Sequence, residues 1–418
     1  MVLRVPRLAL ALALIACGSD HDAPTPTSGT TVAPIAAPPR SAPPTSIVGL
    51  DDPPPVSDEV VARGPLLAGD APEHGCVLAS DAPQPVLEGA STSDIAVAFG
   101  TFVVAAYVAG SPEVVALARI APGGVPSPLG RIELGGSLDT SHRTAPPVIE
   151  RLGEAYLGVG LIDPAGGVRL ARFEAGARAP NISVVQITPR GADVRYPPAI
   201  ASVDAGTLVA WTEASGSTAH VHVALVRIDG TIESVHDVTP DAGAAAAPVF
   251  DAHAVLHVID ARAGISVVHR TAFGPDGVPA RTTVAQPLNL AGEPPSFAVV
   301  GAQLGYAAVG NVATRAVGLV TIGSPSRPQP LVAGLGYGAP LTIDATPLGA
   351  AALFVMEAPS AADASAPHET RIRVVAASGG MGDATTIAGM IEPRVAASGG
   401  VVAIVGRGAA VRWARCAE

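Results

Sequence analysis

Lysine is absent from this chain of 418 residues, and all 25 basic residues are arginines. GC-rich coding accounts for that bias without any appeal to function. Aromatic residues make up 3% and charged residues 15%, both low for a globular protein. With a net charge of -11 and no basic cluster, binding to nucleic acid through phosphate neutralisation is not expected. Catalytic signatures are missing as well: there is no Gly-x-Ser-x-Gly elbow, no His-Glu-x-x-His, no phosphate-binding P-loop and no Asp-x-Asp-x-Asp-Gly calcium loop. The apolar run Leu8 to Ala16 is too short to cross a bilayer as a permanent helix.

Glycine (46 residues) and proline (41) are abundant, and alanine and valine occur throughout. That composition favours short strands and tight turns over helices. Six prolines recur at nearly even spacing: Pro147, Pro198, Pro248, Pro295, Pro340 and Pro393, with steps of 51, 50, 47, 45 and 53 residues. A fixed period in this range marks a repeat architecture. The clearest unit starts at Tyr196-Pro197-Pro198-Ala199-Ile200-Ala201, then runs Gly206 to Glu213, His220 to Arg227, the turn Asp229-Gly230, and Glu233 to Val238. Alternation in the second and third segments predicts half-buried strands, and Asp-Gly predicts a hairpin turn. Pro122-Gly123-Gly124, Asp276-Gly277 and Gly379-Gly380 occupy the equivalent turn in other units. Four strands per ~50 residues describes a propeller blade.

A degenerate unit near Asp94 lacks the proline and brings the number to seven. The last unit, from Pro393, has room for three strands only. Gln84-Pro85-Val86-Leu87-Glu88-Gly89 matches Gln329-Pro330-Leu331-Val332-Ala333-Gly334, the fourth-strand segment of another unit, and can supply the missing strand. The expectation is an all-β, seven-bladed β-propeller over residues 71–418, its last blade shared between the N- and C-terminal strands. Six and eight blades, an open solenoid and a pair of β-sandwiches are the alternatives. Sharing a blade removes exposed sheet edges, and a Cys76–Cys416 disulfide would lock it.

Residues 1–16 read as a signal peptide: Arg4 and Arg7, the apolar run, then Leu14-Ile15-Ala16 before Cys17. This resembles the lipobox of bacterial lipoproteins, which implies cleavage before Cys17 and lipidation of that residue. Gly18 and Ser19 follow where a retention aspartate would stand, so the outer membrane is favoured over the inner. Residues 17–70, rich in Pro, Thr, Ser, Ala and Asp, read as a disordered tether. The motifs Pro-Ala-Ile-Ala, Leu-Val-Ala-Trp-Thr-Glu and Ala-Leu-Val-Arg-Ile-Asp-Gly-Thr in residues 198–231 resemble a repeat of secreted lipoproteins from myxobacteria and similar high-GC bacteria. The resemblance implies a propeller and an envelope location, periplasmic or surface-facing. It implies no particular activity.

One position after each second strand falls in register: Ala109, Asp163, Glu213, Asp260, Asn311, Glu357 and Arg407. In a closed ring, Asp163, Glu213, Asp260 and Glu357 would converge at a channel mouth, suited to a basic ligand group or a divalent cation. The competing reading is that each acid binds backbone donors of its own loop. No other cofactor is predicted. His220 and His222 alternate along one strand, but no third zinc ligand can be named for them, and His253 and His257 carry the same caution. Trp211 and Trp413 are expected between blades. The overall expectation is a monomeric, lipid-anchored binding or scaffolding module for an envelope protein or small ligand. A hydrolase or lyase using the acidic ring is the alternative.

Overall fold

The computed structural model describes residues 73–417 apart from positions 74, 80–81, 109–112, 135–144, 165, 216–217, 240–243, 246, 263–264, 281–282, 288–295, 309–315, 323–328, 332–341 and 359–368. The expected signal peptide and tether, with Cys17, fall outside the described residues.

The chain enters through two short strands, β1 (Cys76–Leu78) and β2 (Gln84–Pro85). Blade 1 is β3 (Ala90–Ala98), β4 (Thr101–Val108), β5 (Val114–Ile120) and β6 (Ser127–Glu133). Blade 2 is β7 (Val148–Leu152), β8 (Tyr156–Ile162), β9 (Val168–Glu174) and β10 (Ser183–Gln186). Blade 3 is β11 (Ala199–Val203), β12 (Gly206–Ser215), β13 (Thr218–Val226) and β14 (Ile232–Asp237). In blade 4 the inner strand is split into β15 (Ala244–Ala245) and β16 (Val249–Phe250), both paired with β17 (Leu256–Arg262), and β18 (Ile265–Thr271) and β19 (Thr283–Pro287) follow. Blade 5 is β20 (Ser296–Val300), β21 (Gln303–Ala308), β22 (Ala316–Thr321) and β23 (Gln329–Pro330). Blade 6 is β24 (Ile343–Leu348), β25 (Ala351–Ala358), β26 (Glu369–Val375) and β27 (Thr385–Ala388). Blade 7 is β28 (Arg394–Ser398), β29 (Val401–Val405) and β30 (Ala410–Cys416).

Every sheet is an antiparallel meander, and the first strands of successive blades touch in a closed circuit that returns from β28 to β3. The outer edge of blade 7 is completed from the N-terminal side: Gln84 pairs with Val411, and Cys76 with Cys416. Cys76 and Cys416 form the expected disulfide. The predicted fourth strand is therefore present, with β1 as a further segment on the same edge.

Seven apolar layers hold the ring, one between each pair of neighbouring blades. Between blades 1 and 2, Val103, Ala105 and Tyr107 meet Leu157, Val159 and Leu161. Between blades 7 and 1, Trp413 and Val405 meet Phe102 and Val104. Alternate residues of β4 thus serve opposite interfaces. This corrects the expectation of half-buried strands: Gly206 to Thr212 is buried on both faces, because a second strand lies between two blades. Trp211 packs between blades 2 and 3, and Trp413 between blades 7 and 1. Small Ala and Val side chains suit these layers, which explains how so few aromatics suffice.

Polar bonds reinforce the layers. The Tyr107 hydroxyl donates to the Ile162 carbonyl (3.0 Å) and accepts from its N–H (3.2 Å), tying blade 1 to blade 2. Arg119 of β5 reaches the Ala175 and Ala177 carbonyls in the third-to-fourth turn of blade 2. Arg172, in the equivalent place on β9, donates to the Ile228 carbonyl in blade 3 (2.8 Å). The third-to-fourth turns read from the sequence close as expected, with Gly124, Gly230, Gly277 and Gly379 donating back across three residues.

Candidate functional site

Each of the four acids in register has a partner close by. Asp163, Asp260 and Glu357 are buried, and each binds within its own blade or an adjoining loop. Asp163 pairs with Arg169 of β9. Asp260 lies 3.7 Å from His269 Nε2 on the neighbouring strand. Glu357 accepts from Thr342 Oγ1 (3.2 Å) and from the Glu392 N–H (3.0 Å). Glu213 is half-buried and accepts from Trp211 Nε1 (3.4 Å). Arg407, the cation of this register, pairs with Glu392. Ala109 and Asn311 lie outside the described residues. Among the described residues no three His, Cys, Asp or Glu side chains are grouped so as to hold a metal ion.

The histidines serve local packing. His222 stacks obliquely on Trp211 (centroids 5.3 Å) and His220 lies 3.5 Å from Asp237. Buried His257 meets Asp251 Oδ2 at 3.1 Å, while Asp251 Oδ1 caps the turn by accepting from the N–H groups of His253 and Val255.

A different set converges on the axis. The inner strands of blades 3, 4 and 5 carry no ionisable residue, whereas those of blades 1, 2, 6 and 7 contribute Asp94, Glu150, Asp344 and Arg394, besides exposed Arg151, which donates to the Gly153 carbonyl of its own turn. Asp94 Oδ2 accepts the Ile149 N–H of the next blade at 2.8 Å, and Asp344 Oδ2 accepts the Val395 N–H of its next blade at 2.8 Å. The same inter-blade staple therefore occurs twice, on either side of Arg394. Inner strands suit this role because their outward edge has no further strand, leaving N–H groups for a side-chain acceptor.

The electrostatics follow from that placement. Burial pushes the Asp94 carboxyl up to about 7, with Arg394 opposing the rise and Asp344 adding to it. Burial likewise raises Asp344, against Arg394. Burial, and then the charges of Asp94 and Asp344, pushes Glu150 up to about 8. Glu150 is nonetheless exposed to solvent. Glu150 is thus crowded by neighbouring inner strands and carboxylates while still reached by water. Near neutral pH this side of the axis holds protons that a cation could displace, beside one permanent guanidinium. Sequence reasoning missed the set because it tracked the ends of second strands. The available signal was charge inside otherwise apolar first strands, such as Arg394 directly after Pro393.

Ring closure and seven antiparallel blades define the class: a seven-bladed β-propeller. No protein-family model matches the chain, and no curated protein sequence matches it. Among solved structures, the WD40 domain of coronin from Toxoplasma gondii is similar over 83% of this chain and 88% of its own, with a TM-score of 0.50 and 10% identity. The β-propeller domain of the Trilobed protease from Pyrococcus furiosus is similar over 76% of this chain and 92% of its own, with a TM-score of 0.42 and 8% identity. The likeness is one of fold.

Proposed function

We propose that this protein is a lipid-anchored envelope propeller that binds a cationic group at its axis without catalysing a reaction. The carrying observation is the one-sided set of Asp94, Glu150, Asp344 and Arg394 on inner strands of blades 1, 2, 6 and 7, while the inner strands of blades 3, 4 and 5 carry no ionisable residue. Raised carboxyl pKa values make such a site responsive: a bound cation favours ionisation, so binding releases protons. Asp163, Glu213, Asp260 and Glu357 are already engaged, so the ligand contact is assigned to the axial set instead. The lipobox-like Leu14-Ile15-Ala16-Cys17 supports the anchor, and the disulfide supports an oxidising compartment, with the outer membrane favoured.

Calorimetry of the full chain with short amines and with divalent cations, in two buffers of different ionisation enthalpy, tests the binding. Heat that depends on the buffer and is lost in Glu150→Gln is expected. Heat unchanged by Glu150→Gln and by Asp94→Asn removes the axial set from the reading. Radiolabelled palmitate incorporation abolished in Cys17→Ala is the expected result for the anchor.

One observation favours a second reading, a hydrolase or lyase. A carboxyl held near 8 and reached by water, as at Glu150, is poised as a general acid. Turnover in a hydrolase and lyase substrate panel that disappears in Glu150→Gln would favour it over simple binding.

A further inference from the structure

Among the described residues eight large apolar side chains are exposed; Val77, Val184 and Val235 lie on the edge strands β1, β10 and β14, and the other five stand at turns. In an antiparallel meander, first-to-second and third-to-fourth turns fall on one face of the disc, and second-to-third turns and blade connections fall on the other. Phe99 and Tyr156 stand at first-to-second turns of blades 1 and 2, and Val125, Ile228 and Val278 at third-to-fourth turns of blades 1, 3 and 4. All five therefore share one face. Val125 is 91% and Ile228 77% exposed, extreme values for side chains that ordinarily pack. The corresponding first-to-second turns of blades 5, 6 and 7 are Gly301-Ala302, Gly349-Ala350 and Gly399-Gly400, so among the described turns of this face the exposed large apolar side chains belong to blades 1 to 4.

The fold holds these side chains firmly. Phe99, in the left-handed region at φ 47°, packs beside Gly176 of the next blade, where a Cβ would come within 3.6 Å of its ring. Tyr156 lies near Arg172, whose guanidinium grips the Ile228 carbonyl. The charges on this face are of both signs. Asp229 and Asp276 turn back to accept the N–H groups of Thr231 and Val278, Arg227 pairs with Glu233, and exposed Arg151 and Arg178 stand with exposed Glu154 and Asp204.

The N-terminal segment leaves from the same face. β30 ends there at Cys416, Cys76 pairs with it, and the Ala417 N–H bonds the Gly75 carbonyl, so Gly75 sits at the rim of blade 7 on the side of blade 6, where the Thr385 hydroxyl donates to the Cys76 carbonyl. About 58 residues separate Gly75 from Cys17, which as a flexible coil gives a root-mean-square reach of about 40 Å.

We propose that this turn face, marked by Phe99, Val125, Tyr156, Ile228 and Val278, docks flat on a phospholipid surface. The proposal rests on the lipid-anchor reading. Five side chains spread along the rim of a disc suit a plane better than a groove, and the chain toward Cys17 starts from that plane. Tethering within about 40 Å makes weak partitioning sufficient, because the local concentration of bilayer is high.

The test uses the full acylated chain on phosphatidylcholine vesicles brominated in the acyl chains. Val125→Trp and Ile228→Trp report the turn face, and Ser215→Trp, on an exposed second-to-third turn, reports the opposite one. Quenching about threefold stronger at 125 and 228 than at 215 is expected for interfacial insertion. Equal quenching at all three positions on vesicles that carry the protein overturns docking while leaving the anchor intact. Failure of the acylated chain to float with vesicles counts against the anchor. The Cys17→Ala chain then decides the face by itself. Partitioning that falls about tenfold in Val125→Glu/Ile228→Glu upholds docking, and no such fall overturns it. A Trp shift without vesicles that tracks dimer formation in sedimentation also overturns it, assigning the face to a second copy.

Discussion

Cys76 and Cys416 lie 340 residues apart in sequence and are neighbours across a strand pair, with Cα atoms 4.1 Å apart and their sulfurs bonded. That bond joins the ends of the propeller across the outer edge of one blade. Any opening of the ring between blades 6, 7 and 1 must strain the bond or leave the terminal segment behind.

Reduction is therefore expected to loosen the closing blade first. In the chain-entropy model a loop of this length contributes up to about 5 kcal/mol. Cys416→Ser should lower the thermal midpoint and increase hydrogen exchange in β1, β2 and β30 before other blades. Non-reducing mass spectrometry should recover a Cys76–Cys416 peptide, and free thiols at both positions would contradict the closure.

Tyr107→Phe should cost about 1–3 kcal/mol, because it removes a hydroxyl that serves both the N–H and the carbonyl of Ile162 and leaves both without that partner. Urea denaturation of the variant checks it. The expected signature is a lower midpoint with an unchanged slope.

The axial carboxyls predict a pH dependence of definite sign. Asp94 has an ordinary value of 3.8 and a folded value of about 7, and Glu150 moves from 4.5 to about 8. Between these limits the folded chain binds more protons than the unfolded chain, so their contribution to stability falls as pH rises through 4 to 8. Asp94→Asn keeps an acceptor for the Ile149 N–H but cannot ionise. It should flatten this decline and stabilise the protein at pH 8 relative to the parent chain, as read from thermal midpoints across pH. A steeper decline in the variant would sink the assignment.

Gly206 opens β12 against the Val226 carbonyl, where a Cβ would lie 2.3 Å from the oxygen. Gly206→Ala should therefore displace the β12–β13 pairing and cost about 1–3 kcal/mol. A variant as stable as the parent, with unchanged exchange in β12 and β13, would contradict this packing.

Much of the architecture was legible because its causes are local. Asp229-Gly230 and Asp276-Gly277 specify turns wherever they occur, and the recurring prolines stand ahead of inner strands such as Ala199–Val203 and Arg394–Ser398. Gln84-Pro85 resembles Gln329-Pro330 because both make the same short edge pairing. The register of Asp163, Glu213, Asp260 and Glu357 was also real as a repeat. Equal position along a second strand says nothing of distance from the axis, and in the structure each acid has a partner nearby.

The sequence by itself determined the repeat and its seven-unit reading, which depend on turn chemistry and strand periodicity within about fifty residues, and the match of Gln84-Pro85 to Gln329-Pro330 pointed to the borrowed outer edge. Only the tertiary structure decided which charges share the axis and which apolar side chains share a face. Asp94 and Asp344 stand 250 positions apart, and nothing local links them. They come together because a twisted sheet repeated seven times returns to its starting point. The same closure that hides every interior edge sets Asp94, Glu150, Asp344 and Arg394 around one axis, and turns Val125 and Ile228 outward in one plane.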